Sequence, residues 1–155
     1  MKLEANTSPL EVWLGEQETG HRIGRLAWRD HTAWFEFDEV FLASGLDLSP
    51  FHLPPRPGVH RAPPTPFDGL HSLFNDSLPD GWGRLLIDRQ LMSEGTTLGQ
   101  ITPLDRLSIA GSNTMGALTY RPSSQPQTDA LPIDLDTIQH ETAAILSGHL
   151  SHDLE

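Results

Sequence analysis

The chain has 155 residues, the usual size of one domain, and carries 10 Lys plus Arg against 21 Asp plus Glu for a formal net charge of −11. That acidic balance repels polyphosphate, so direct binding to nucleic acid is not expected, and the lack of cysteine excludes disulfides and thiolate metal sites. Met1 to Asn6 holds no apolar signal core and no later run approaches the roughly 20 apolar residues of a membrane helix, so a soluble cytoplasmic protein is expected.

Leu10 to Phe37 reads as strands. Val12-Trp13-Leu14, Arg22 to Trp28 and Ala33 to Phe37 are rich in aromatic and branched residues. Ile23, Leu26 and Trp28 do not all keep a period of two, which predicts a bulge near Gly24. Gly15 to Gly20 and Asp30-His31 supply turns, so the three runs form an antiparallel meander whose apolar face needs a cover. Ser49 to Pro66 then holds seven prolines and reads as an extended connector, because proline removes a backbone donor and disfavours helix. Pro54-Pro55-Arg56-Pro57 within it also fits an aromatic peptide-binding groove, a sharper reading that the connector makes unnecessary.

Helices follow. Gly69 to Asn75 forms one, and a second resumes near Trp82 with Leu85, Leu86 and Arg89. Between them Pro79-Asp80-Gly81 is a turn signal, proline setting φ, aspartate bonding its own backbone and glycine admitting φ > 0. Thr102 is an N-cap with Pro103 at the first helical position and Asp105 near the positive end of the helix dipole, and Gly111 ends that helix. Gly116 to Tyr120 is a last strand. The expected fold class is therefore α+β, a small antiparallel sheet covered on one face by short helices. Residues 1–120 form the domain, 121–132 a polar, proline-bearing linker, and 133–155 a helix capped by Asp134 with Leu135, Ile138, Ile145 and Leu146 as its apolar stripe.

Catalytic signatures are missing. Phosphoryl transfer needs a phosphate-cradling loop, a lysine on the phosphates and ligands for magnesium. Lys2 is the one lysine, and Gly111 to Gly116 fits neither nucleotide-binding glycine pattern. His21, His31, His52, His60 and His71 are scattered, and His149 and His152 lie beyond Gly148, so no metal or other cofactor is expected. Asp76, Asp80 and Asp88 invite an acid/base reading, but Asp80 belongs to the turn and Asp88 stands four residues from Arg84, a spacing suited to a surface ion pair. Trp82, between Gly81 and Gly83, has two open placements: outward as an interface anchor, or inward against Leu85 and Leu86.

The run Leu78-Pro79-Asp80-Gly81-Trp82-Gly83-Arg84, followed by Ile109 to Leu118 and flanked by Phe67, Phe74 and the Thr102 to Leu107 helix, resembles the N-terminal subdomain of HipA-type toxin kinases over roughly Val12 to Tyr120. The resemblance implies a non-catalytic module, since the family's kinase core and glycine-rich ATP loop lie downstream of this subdomain. It also implies that an extended segment crosses the sheet before the first helix. Two roles follow. One is a HipS-like antitoxin that binds and inhibits a separate HipA-like serine/threonine kinase, with Leu78, Pro79, Asp80, Gly81, Trp82, Gly83 and Arg84 as contact surface and Trp82 blocking the active site. The other is the N-terminal regulatory part of a HipA-family kinase whose core acts in cis, as the continuation past Tyr120 suggests. A HipB-like DNA-binding antitoxin is the further partner implied.

Overall fold

Alternating apolar residues build the sheet. A computed structural model of the chain describes residues 8–16, 19–114 and 116–122. Its strands are β1 (Leu10–Leu14), β2 (His21–Arg29), β3 (Thr32–Phe37), β4 (Val59–Arg61) and β5 (Leu118–Arg121), in the order β4-β3-β2-β1-β5 with every pair antiparallel. The expected bulge is present: Val12 faces Gly24 while Trp13 faces Arg22, leaving Ile23 as the extra residue. That insertion lets Ile23 and Leu26, three apart, both bury on one face. A Cβ at Gly24 would collide with the Glu36 carbonyl and the Phe35 ring, so the glycine admits Phe35 over the bulge. Asp30 and His31, at φ 52° and 57°, close the β2–β3 hairpin in the left-handed region that such two-residue turns require.

Among the described residues the helices are α1 (Glu39–Ala43), α2 (Ser72–Asn75), α3 (Gly81–Ser93) and α4 (Pro103–Ala110), with one 3-10 turn at Leu98–Gln100. Leu10, Val12, Ile23, Leu26, Phe35 and Tyr120 from the sheet share one core with Phe41 of α1, Phe74 of α2, and Leu104 and Leu107 of α4. Phe35 meets Phe37 and Phe74 with ring centroids 4.8 Å apart in each pair. On the sheet's other face Arg25 pairs with Glu36 at 3.1 Å, and Arg121 lies 4.0 Å over the Trp13 ring. No helix among the described residues is long and apolar enough to cross a membrane.

Three elements differ from the sequence reading. The proline-rich stretch is more than a connector: Val59–Arg61 pairs with β3 as an edge strand, and Leu53 and Ala62 enter the core. Proline is tolerated beside an edge because that side of the ladder needs no donor. Helix α1 was not anticipated, although Asp38 caps it by accepting from the Val40 amide. Helix α2 is a single turn beginning at Ser72 instead of near Gly69, because Gly69 sits at φ 80° against the His31 carbonyl, outside helical space. Strand β5 continues to Arg121, and the linker and terminal helix expected over 121–155 otherwise lie outside the described residues apart from Pro122.

Candidate partner-binding surface

The run from Leu78 to Arg84 is the entry to α3. Leu78 is half-buried against the core, its amide bonded to the Asn75 carbonyl. Asp80 is the N-cap, with extended backbone, and its Oδ1 accepts from the Gly83 amide at 2.9 Å. The Arg84 amide then bonds the Asp80 carbonyl at 2.8 Å, the first full helical turn. The turn residue of the sequence reading is thus a cap, and Gly81, Trp82, Gly83 and Arg84 are helical. Only one of the two glycines has a steric role. A Cβ at Gly83 would lie 2.7 Å from the Pro79 Cβ, whereas Gly81 faces open space.

Trp82 points outward, 55 % exposed, and Leu85 and Leu86 are exposed beside it at 40 % and 45 %. Residues 82, 85, 86 and 89 fall on one side of a helix, so these side chains make a continuous apolar face ending in the exposed Arg89, with Met92 exposed one turn on. Inward packing of Trp82 against Leu85 and Leu86 is not what the chain adopts. A contiguous exposed apolar face on a capped helix marks an interaction surface more readily than scattered apolar residues do.

The other side of α3 holds Ile87, Asp88 and Leu91. Asp88 does not pair with Arg84 as its spacing suggested; it accepts from Arg106 of α4, Nε to Oδ1 at 2.7 Å and Nη2 to Oδ2 at 3.1 Å. Burial decides between the two arginines. The Arg106 side chain is 8 % exposed and needs an anion, while Arg84 stays in water and has no ion pair among the described residues. No local spacing announces a pair eighteen residues apart, so sequence reasoning missed Arg106.

Elsewhere the chemistry is sparse. A cleft of 440 Å³ is lined by His52, Pro63, Thr65, Pro66, Phe67, His71 and Ser72. His71 is buried, and that burial brings its pKa down to about 4, partly offset by the His60 carbonyl nearby. A second groove, of 340 Å³, runs along Arg22, Arg25, Glu36 and Asp38. There the Arg22 guanidinium holds the Asp38 carboxyl below its ordinary range. Among the described residues no group of three or more His, Asp or Glu is placed to hold a metal ion.

The span that forms this sheet and its helices is also the span that comparison recognises. Residues 10–121 match the family model of the HipA N-terminal domain, and the chain belongs to that family. The match opens on the first residue of β1 and closes on the last residue of β5, neighbouring strands in which Glu11 faces Arg121. No curated protein and no solved structure matches the chain.

Proposed function

We propose that this HipA N-terminal domain is a non-catalytic module that binds and restrains a HipA-type serine/threonine kinase core, with the exposed face of α3 as its contact surface and Trp82 as the anchor. The observation that carries the reading is the outward placement of Trp82 with Leu85 and Leu86 on a helix that Asp80 caps. An aromatic side chain that fills a desolvated pocket contributes ~2 kcal/mol or more to an interface, which is enough for one residue to govern affinity. Gly83 brings Pro79 against the first turn, and Arg84 is free to pair with an acidic rim, a smaller contribution where water reaches it. Acting on a separately encoded kinase, such a module is an antitoxin of the HipS kind. With Lys2 as its one lysine, the chain is expected neither to bind Mg-ATP nor to transfer phosphate by itself.

A second reading is favoured by the matched family being an N-terminal domain: the same surface then regulates a kinase core in cis. Both readings place the contact at Trp82. The test is binding of the full chain to a purified HipA-type kinase core by calorimetry, with kinase activity measured alongside. Trp82→Ala should weaken binding about thirty-fold or more, and inhibition with it, while leaving the melting temperature nearly unchanged. Full binding by that variant overturns the proposal, and so does saturable micromolar binding of Mg-ATP to the chain alone.

A further inference from the structure

Helix α3 is weakly held for a helix that carries a docking face. Of its 13 residues only Leu91 is buried. With Ile87, Leu91 meets Ile101 and Ile109 in a small cluster separate from the main core. Its neighbour α4 spans both clusters, sending Leu104 and Leu107 into the main core and Ile109 into the smaller one. Such aliphatic contacts are non-directional and tolerate rotation or sliding of one helix on the other.

The polar link between the two helices has the directionality that the apolar contact lacks. Among the described residues the hydrogen bonds joining α3 and α4 side chains run from Arg106 to Asp88, 2.7 Å from Nε and 3.1 Å from Nη2, one to each carboxylate oxygen. Both side chains are largely withdrawn from water, 8 % exposed for Arg106 and 15 % for Asp88. A guanidinium edge meeting a carboxylate in this two-point manner fixes distance, plane and approach together. A one-residue rotation of a helix turns every side chain by about 100°, which would carry Asp88 out of reach and swing the opposite face away.

We infer that Arg106 is a positioning residue for the Trp82 face: by gripping Asp88 it sets the rotation and height of α3 on α4, and so the direction in which Trp82, Leu85 and Leu86 project. The inference rests on the reading that this face docks on the kinase core. Arg106 acts through Asp88 and is buried on the inner side of α3, away from that contact.

Two variants of the full chain test it. Arg106→Lys keeps the charge and loses the two-point grip, while Asp88→Leu with Arg106→Met replaces the pair by apolar side chains that keep the helices packed. Three quantities are read: hydrogen exchange of the α3 amides against those of β2 and β3, the fluorine resonance of Trp82 in 5-fluorotryptophan-labelled protein, assigned with Trp82→Phe, and affinity for a purified HipA-type kinase core. In the apolar double variant α3 amides should exchange about ten-fold faster or more while the sheet amides keep their protection, and the Trp82 resonance should broaden or split. Affinity should fall about ten-fold although cooperative unfolding persists, an outcome that a purely stabilising pair would not produce. Unchanged α3 exchange, one sharp Trp82 resonance and affinity within about two-fold of the parent in the double variant overturn the inference, as does global unfolding of both variants, which would assign the pair to core stability. If Trp82→Ala in the parent background keeps full affinity, the docking reading fails, and the exchange and fluorine measurements still decide what Arg106 does.

Discussion

His71 is 3 % exposed, lies between Phe35 and Phe74, and has neither ring nitrogen in hydrogen-bond geometry with a partner. Burial disfavours its charged form, so its pKa falls from 6.5 to about 4. The sign follows from which state takes the proton first. Between those values the unfolded chain is protonated and the folded one is not, so the stability from neutral His71 is full above pH 6.5 and is lost as pH falls through about 4. At 1.36 kcal/mol per pKa unit the loss is on the order of 2–3 kcal/mol, less where water from the adjoining cleft relaxes the burial. Urea unfolding of the chain at pH 7.5 and 4.5 should show that loss, and His71→Phe should flatten it; an equal slope in the variant would assign the effect to other groups. The two glycines beside Trp82 should also part company. Gly83→Ala should cost about 1–2 kcal/mol through the collision with Pro79, and Gly81→Ala, in open space, should be neutral or stabilising by up to ~1 kcal/mol, both read from urea midpoints. Trp82→Ala, at an exposed position, should change stability by less than ~0.5 kcal/mol.

Two helices begin by related devices with unequal backing. In α4 the Thr102 hydroxyl accepts from the Asp105 amide at 3.2 Å while the Asp105 carboxylate accepts from the Thr102 amide at 2.7 Å, a reciprocal box, and the next turns are buried in the core. Helix α3 has the Asp80 cap alone, on a first turn whose side chains are exposed or half-buried. Removing an N-cap aspartate costs about 1 kcal/mol, and where packing does not hold the turn that cost appears as local fraying. Asp80→Ala should therefore raise hydrogen exchange at the Gly83 and Arg84 amides while the β2 and β3 amides stay protected. Even protection across all of these amides would show that α3 is held by tertiary contacts instead of by its cap.

At the scale of the whole molecule, the matched span and the sheet share their ends. Residues 10 and 121 sit in β1 and β5, and the β1–β5 pairing joins the two ends of the matched span across the sheet. Ser108 of α4 also donates to the Pro122 carbonyl at 3.0 Å, and the buried Tyr120 hydroxyl donates to Ser77 at 2.8 Å. A chain cut after Pro122 should accordingly keep a cooperative thermal transition near that of the full chain, and loss of the transition would place later residues in the core. Tyr120→Phe in the full chain should cost about 1 kcal/mol, since it strands a buried serine hydroxyl, and thermal unfolding will measure it.

What the sequence determined by itself was local. The hairpin at Asp30-His31, the bulge near Gly24 and the Thr102 cap were legible, because period, turn chemistry and capping act over a few residues, while the family was legible only as a resemblance over roughly Val12 to Tyr120. Strand β4 and helix α1 were not, since three to five residues carry too short a period and form only when an edge strand or a phenylalanine stack receives them. Tertiary structure alone decided between Arg84 and Arg106 as the partner of Asp88, and between the two placements of Trp82. Both outcomes turn on which side of α3 meets α4, and a helix with apolar residues on two sides does not specify that face until a neighbour covers one of them.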